Sequence, residues 1–543
     1  MEDRIRNAVM DVLAKTGSAA IIPTIKRPSN LAYGDYSVFV GMEIAEEVAK
    51  SIKEKLVDAI SKVEIAEPGF VNIALSRESV SLAIAEADAK GKEWGKIVSS
   101  EQKAVSRVLI EYTDPNPFKE MHIGHLMSNI IGESLARLIE SSGATVIRAN
   151  YQGDVGPHVA KALWGLQKKW ITEPETAKEI GEAYAEGSRA YEESPEAKKE
   201  IDALNLVVYA ENDSVLMDLW RKGRDVSLEA FECLYKILGT HFDYYFFESE
   251  TTEPGLRIVR DGLKKGIFEE SDGAIIYRGE KVGLHTLVFI TSAGTPTYEA
   301  KDIGLAFLKE ERVHNDRSLI VTATEQIGHF KVMFAALEEI APLIAKKTEH
   351  IPHGFLRLTT GKMSSREGNV ITAAQFIEDI IKKASEKNSD PLIAEQVALG
   401  AIKYMILRQS PGSDIIFDPE KSLSLDGDSG PYLQYSLVRA KSILGKARST
   451  KLEARNEIPD TPYLLERLIV HFPEVVARAA LELAPNLLVT YLTELASEWN
   501  SFYATEQILE SPEEAYKQQV TRAFANTMTN GLALLGIPSP ERM

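Results

Sequence analysis

Glu111-Tyr-Thr-Asp-Pro-Asn-Pro-Phe-Lys-Glu-Met-His-Ile-Gly-His125 lies between an apolar strand pattern, Val105 to Tyr112, and a helix pattern, Leu126 to Glu140. His122 and His125 stand three residues apart, with Gly124 between them, on the opening turn of a helix that starts at about Ile123. Such a turn presents unpaired backbone N–H groups and the positive end of the helix dipole. That arrangement suits phosphate. Glu111, Asp114, Asn116 and Lys119 bring acids, an amide and a cation to the same place. The segment points to chemistry on a nucleotide triphosphate.

Working outward, the helix stops at Gly143, where a C-terminal cap belongs. A second strand, Ala144 to Ala149, completes a βαβ unit and leads into Gly153-Asp-Val-Gly156. Its sheet is expected to be parallel, with a right-handed crossover. Residues 166–245 are charged and helical and read as an insertion. Ala274–Tyr277, Thr286–Ile290 and Ser318–Val321 read as further strands, with a helix from Tyr298 to Glu310. From about Asp379 the pattern is nearly all helical, broken at Ser424–Pro431. The first 95 residues form a small α/β unit: helices Glu2–Lys15 and Met42–Ile60, and strands at Leu31–Phe39 and from Phe70 to Ala74. The expected fold class is α/β. A doubly wound parallel (Rossmann-like) catalytic sheet spans 99–405, a small N-terminal α/β domain spans 1–98, and an all-α C-terminal helix bundle spans 406–543.

The 543 residues suit roughly three or four domains of ordinary size. Apolar residues make up 44% and charged residues 26%, an ordinary globular balance. The single cysteine, Cys233, excludes an internal disulfide and any cysteine-rich zinc cluster. No apolar run of about 18 residues occurs, and the opening Met-Glu-Asp-Arg-Ile-Arg lacks a signal-peptide pattern, so a cytoplasmic protein away from membranes is expected. A net charge of −18 argues against indiscriminate nucleic-acid binding but leaves room for a local basic track.

A second stretch carries chemistry: Gly361-Lys-Met-Ser-Ser-Arg-Glu-Gly-Asn-Val370. Its glycines, the hydroxyls of Ser364 and Ser365, and the cations Lys362 and Arg366 suit a loop, here 361–369, that folds over a triphosphate and neutralises departing pyrophosphate. Alone it is better read as a flexible surface loop. Imidazoles at His122 and His125 can donate to phosphate oxygens as charge builds. Gly124 removes a side chain where a base or ribose would approach the backbone.

Together the two stretches resemble the HIGH and KMSKS motifs of class I aminoacyl-tRNA synthetases, in their order and spacing. Further stretches resemble the arginyl-tRNA synthetase family: Asp114 to His125, Gly153 to Gly156, Phe242-Asp-Tyr-Tyr-Phe-Phe-Glu-Ser-Glu250, Thr297-Tyr-Glu-Ala-Lys-Asp302, Glu325-Gln-Ile-Gly-His-Phe330, and the ending Gly531 to Met543. The resemblance covers essentially the whole chain. It implies a two-step ligation of L-arginine to the 3′ end of arginine tRNA through arginyl-adenylate, with ATP as substrate and Mg2+ on the triphosphate. It implies no organic cofactor and no zinc, and a monomer.

Residue by residue, the resemblance implies ATP binding at His122, Gly124, His125, Lys362, Met363, Ser364, Ser365 and Arg366. It implies an arginine pocket of Glu111, Asp114, Asn116, His125, Tyr298, Asp302 and Gln326. Tyr298 and Asp302 are four apart on one helical face, and a planar guanidinium asks for carboxylates in fork geometry. Each also has a plain structural reading: Asp302 as a solvated helix charge, Tyr298 as core, Glu111 as a cap for a neighbour. The loop departs from Lys-Met-Ser-Lys-Ser, having Ser365 and then Arg366, and the resemblance implies that Lys119 supplies the missing cation beside Lys362. Phe70 and Asn72 match the family's reader of a tRNA loop nucleotide, or are ordinary strand residues. Arg439, Lys441, Lys446 and Arg448 form a basic stretch in the bundle that the resemblance implies binds the anticodon, or a solvated helix face. Other readings are a different class I synthetase of the cysteine or glutamine type, a catalytically silent tRNA-binding relative, and a nucleotidyltransferase. The missing zinc cysteines, the intact motif residues and the long helical tail weigh against them in turn.

Overall fold

The computed structural model describes residues 1–16, 23–28, 30–96, 106–359, 371–447 and 457–543. Lys362, Met363, Ser364, Ser365, Arg366 and the rest of the loop 361–369 lie outside the described residues, as does Arg448.

The N-terminal unit comprises α1 (Glu2–Lys15), β1 (Ile25–Lys26), β2 (Tyr36–Phe39), α2 (Met42–Lys55), β3 (Ile60–Ala66), β4 (Phe70–Leu75) and α3 (Arg77–Lys90). Its antiparallel sheet runs β1-β2-β4-β3, and α1 and α2 bury their apolar stripes against Val38, Val71 and Ile73. The strand expected from Leu31 begins only at Tyr36. Leu31–Tyr33 is a 3-10 turn instead, because the Asn30 side chain accepts the Ala32 N–H at 2.9 Å and caps it.

The five-stranded sheet starts with β5 (Arg107–Glu111), α4 (Ile123–Ser141) and β6 (Thr145–Gln152). β6 pairs in parallel with β5 from Thr145↔Arg107 to Ala149↔Glu111. The helices α5 (Pro157–Lys168), α6 (Ala177–Glu193), α7 (Pro195–Ala210) and α8 (Ser214–Leu238) follow, and β7 (Tyr244–Phe247) rejoins the sheet beside β6. α9 (Glu248–Lys264) leads to β8 (Glu269–Ser271), β9 (Ala274–Tyr277) and β10 (Leu287–Ile290). These three make a separate antiparallel sheet, so two of the strands read in the sequence do not belong to the parallel sheet. α10 (Tyr298–Val313), β11 (Arg317–Ala323), α11 (Ile327–Ile340), α12 (Pro342–Lys347) and β12 (Thr348–His353) complete the parallel order β12-β11-β5-β6-β7. The direction of winding reverses between β5 and β11, and open α/β sheets bind ligands in the crevice such a switch point leaves at the strands' carboxyl ends.

β13 (Leu356–Leu358), α13 (Ala373–Ser385), α14 (Pro391–Leu407), β14 (Ile415–Phe417) and α15 (Pro419–Ser422) come next, β13 pairing with β14. Helix therefore begins before Asp379, because the Thr372 hydroxyl accepts the Gln375 N–H at 3.2 Å and caps α13. The bundle consists of α16 (Gly430–Ala447), α17 (Leu464–Val470), α18 (Phe472–Leu481), α19 (Pro485–Thr505) and α20 (Glu514–Leu534). Its centre is Trp499, stacked on Phe524 at 4.6 Å. The N-terminal unit docks on this bundle through Arg77, which grips Glu466 at 2.9 and 3.0 Å, and through Asp35, which accepts from Arg467 at 2.6 Å. Among the described residues no helix is long and apolar enough to cross a membrane.

Candidate active site

The link between β5 and α4 holds unusual backbone: Thr113, Asp114 and Phe118 all have positive φ, at 78°, 46° and 67°. Non-glycine residues persist there only when surroundings over-determine them. Ser128 Oγ accepts the Thr113 N–H (2.9 Å) and donates to the Val321 carbonyl (2.7 Å), tying the loop to α4 and β11. Asp114 Oδ1 accepts the Tyr151 N–H (2.7 Å), and Ser227 Oγ accepts the Phe118 N–H (3.0 Å).

The two histidines cap α4 reciprocally. His122 Nδ1 accepts the Gly124 N–H at 3.0 Å, and His125 Nδ1 accepts the His122 N–H at 3.2 Å. The rings stack at 3.7 Å. A Cβ on Gly124 would stand 2.8 Å from the His122 ring, so glycine is what lets that imidazole fold back over the turn. Accepting at Nδ1 assigns each neutral ring the Nε2–H tautomer. Burial, then the Lys119 charge, holds His122 below the usual histidine range. Burial, then His122 and Lys119, holds His125 well below it. The helix start thus offers neutral N–H donors to an anion.

A cavity of about 620 Å³ opens at the switch point. Glu111, Asp114, Asn116, His122, Gly124, His125, Tyr298, Asp302 and Gln326 all border it, so every arginine-pocket residue read in the sequence reaches one space. Gly153 keeps that space open on the β6 side, since a Cβ there would lie 2.3 Å from Asn116 Oδ1. Lys119 is not among the lining residues, its ammonium lying 4.9 Å from the Tyr184 ring of α6.

The acids are individually managed. Lys309 Nζ pairs with Glu111 at 2.5 Å, both buried; burial pushes the Glu111 carboxyl up and the ammonium opposes it. Burial, then Glu111, holds Asp114 well above the carboxylate range. Lys301 pairs with the buried Glu248 and lies 4.7 Å from the Tyr298 ring. His329 Nε2 bonds Asp302 Oδ2 at 2.6 Å, while its Nδ1 faces Glu299 at 3.4 Å. Asp302 Oδ1 makes no hydrogen bond among the described residues and stays available to the cavity.

Burial opposes charge on His329, but bonds to Asp302 and Glu299 outweigh it and lift the pKa to about 10. The folded value exceeds the free value of about 6.5, so the pair stabilises fully below that value and is lost as pH rises through about 10. The difference in melting temperature between the protein and His329→Gln is accordingly expected to narrow from pH 8 to pH 10.5. A constant gap would place the ring's charge elsewhere.

His329, Lys309, Lys301 and Glu248 were not singled out in the sequence. Lys309 had a signal, standing seven residues after Asp302 on the same helical face. His329 lay within the quoted Glu325–Phe330 stretch with nothing to name its partner. Away from the cavity, Phe70 and Asn72 share one face of β4; Phe70 packs on Phe39 at 5.1 Å and Asn72 is buried. Arg439 donates to Asn500 (2.8 Å) and Tyr435 (3.0 Å), and Lys441 pairs with Glu541 (2.6 Å).

Comparison with known proteins gives a consistent picture. The family profile described as "tRNA synthetases class I (R), catalytic domain" matches residues 86–419, "DALR anticodon binding domain" matches 433–543, and "Arginyl tRNA synthetase N terminal domain" matches 3–75. The arginine–tRNA ligase of Flavobacterium psychrophilum is 30% identical over 545 residues, covering 92% of this chain and 89% of its own. That of Treponema denticola is 32% identical over 506 residues, covering 87% and 85%. The solved arginyl-tRNA synthetase of Thermus thermophilus superposes with a TM-score of 0.82 at 25% identity, over 99% of both chains.

Proposed function

The chain belongs to the arginyl-tRNA synthetase family and is an arginine–tRNA ligase, and from that premise we propose how its residues divide the reaction. Asp302 Oδ1 and Glu111 take the guanidinium, with Tyr298 and Gln326 closing the pocket. Asn116 holds the amino or carboxylate end. Arginine's carboxylate then attacks the α-phosphate of ATP, forming a C–O–P bond as pyrophosphate leaves. The Nε2–H groups of His122 and His125 donate to phosphate oxygens whose charge grows in that step, which is differential stabilisation of the transition state. In the second step a terminal ribose hydroxyl of the tRNA attacks the adenylate carbonyl and AMP leaves. The single observation that supports this division is the opening of the Asp302 slot and the histidine-capped helix start into one cavity.

Magnesium belongs to the reading as part of the nucleotide. Among the described residues no group of three or more His, Cys, Asp or Glu side chains is set to hold an ion, and Mg2+ commonly arrives on substrate phosphates. Residues 1–98 are assigned to the tRNA body, with Phe70 and Asn72 facing a loop nucleotide, and 406–543 to the anticodon, with Arg439 and Lys441 near the backbone. A cytoplasmic monomer completes the reading.

Lys119 is assigned to the phosphates together with Lys362. The influence of its charge on both histidines supports this, since a cation felt at the helix start is felt by an anion bound there. Lys119→Ala is expected to slow arginine activation by about 10²-fold, the usual size for a removed charge-stabilising group. Near-normal activation would end that assignment. The reading as a whole is tested by exchange of labelled pyrophosphate into ATP with each amino acid, with and without tRNA. Exchange driven by another amino acid rejects arginine, and silence throughout favours a non-catalytic relative.

A further inference from the structure

The cavity does not end at Asp302. Tyr298, Asp302, Leu305, Ala306, Lys309 and Glu310 of α10 all border it. At 1.5 Å per residue they span about 18 Å, of which about 12 Å lie beyond Asp302. On the sheet side it follows β11 from Ala323 down to Ser318, about 16 Å of strand. The space therefore runs between sheet and helix from the carboxyl ends of the strands most of the way to their amino ends. Glu111 stands in register with Ile320, partway down.

The lower half differs in character from the upper. Leu305, Ile320 and Met333, each under 5% exposed, give it apolar walls, beside which the paired charges Lys309–Glu111 and Lys347–Glu310 also border the space. Its floor carries Asn315 and Ser318, both 4% exposed. Asn315 Nδ2 and Ser318 Oγ make no hydrogen bond among the described residues. Buried polar groups are nearly always paired, and leaving them unpaired is costly. Lys347 does not serve them: its ammonium is committed to Glu310 and to the Asn315 carbonyl at 2.7 Å. A passage with apolar walls, internally paired charges and two unsatisfied polar atoms at its end fits the general pattern of a small-molecule site.

We infer that the arginine slot has an open floor, a second subsite that takes the substituent of an Nω-substituted L-arginine. This rests on the assignment of the guanidinium to Asp302. An Nω-alkyl group replaces one of the five guanidinium N–H donors and keeps the charge, so the Asp302 contact survives. The alkyl chain lies along Leu305, Ile320 and Met333, and a terminal acceptor meets the Asn315 amide and the Ser318 hydroxyl. Each methylene moved from water into such walls favours binding about fourfold, which offsets the lost donor. Discrimination against longer guanidines is thus not made by a wall beneath the guanidinium.

The test compares L-arginine with Nω-(6-hydroxyhexyl)-L-arginine, whose chain is long enough to reach the floor and ends in an acceptor hydroxyl, on the full chain with arginine tRNA, reading half-saturation and, where the analogue is not transferred, competitive inhibition. The analogue is expected to bind within about tenfold of arginine. Ser318→Leu fills the floor and is expected to weaken the analogue tenfold or more while arginine stays within threefold. Ala306→Leu narrows the same passage from the helix side and replaces it if Ser318→Leu does not fold. Normal use of arginine with no analogue binding at a hundred times its half-saturation would overturn the open floor alone, as would a plug that weakens both ligands equally. Failure of arginine itself would fall on the assignment of Asp302.

Discussion

Asp302→Asn should lower kcat/KM for arginine by about 10²- to 10³-fold while leaving the fold and ATP affinity nearly unchanged. The carboxylate sits on the second turn of α10, borders the cavity, and has Oδ2 fixed by His329, leaving Oδ1 without a hydrogen bond among the described residues. Truncating one partner of a desolvated charge pair costs about 2–5 kcal/mol, because the remaining charge is left uncompensated. At about 1.4 kcal/mol per decade that covers the range given. Asparagine keeps the shape but sets an amide that can donate beside the His329 imidazolium and the incoming guanidinium. The loss should appear in KM as well as kcat, since the charge is met in the ground state too. It should be smaller for ATP, whose anionic tail is assigned to the other end of the cavity. Steady-state kinetics on the folded variant, below the melting temperature that loss of the His329 ion pair lowers, would check it, and a change within threefold would remove Asp302 from substrate contact.

The upper edge of the sheet was legible in the sequence because its signals are local. β5 is a short apolar run, α4 repeats apolar residues at helical spacing, and the histidines mark its start. The antiparallel strands β8–β10 and the β13–β14 pair were less legible. Three- and four-residue apolar runs carry no period, and which sheet they join depends on partners far along the chain. The strand at Ile415–Phe417 sat inside a region read as helical for the same reason. In the site, Tyr298 and Asp302 could be paired by the four-residue rule, since both lie on one helix. Lys309 with Glu111 spans two elements and almost two hundred residues, as intervals in the chain show. No spacing rule reaches across that distance. His329 was hidden by the same limit, because its meaning lies wholly in the acids of α10. The reciprocal cap of α4 has no sequence signature for another reason: histidine is a rare cap, and only the folded turn shows each Nδ1 accepting a backbone N–H.

That division of labour within each ring makes His125→Ala the second large effect. Activation should fall by about 10²- to 10³-fold, the range for removing one donor aimed at developing charge. Part of any fall is structural: losing the His125 Nδ1 acceptor frees the His122 N–H, and a lost helix cap costs about 1 kcal/mol. His125→Asn separates the two contributions, since a short amide oxygen can still accept that N–H while its amide nitrogen falls short of where Nε2–H reaches. It should restore thermal stability and leave activation low. The pH dependence gives an independent check. With burial, His122 and Lys119 all holding the His125 pKa well below 6.5, the ring stays neutral from pH 6 to pH 8. Protonation would put a hydrogen on Nδ1 and break the bond to the His122 N–H, so the neutral form is the one the cap requires. The activation rate of the intact protein should therefore show no titration from this residue across that window. A rate that falls as pH rises, with a midpoint near 6.5, and that loses this step in His125→Asn would mean the ring works as a charged group, and the account of neutral donors at the helix start would have to be abandoned.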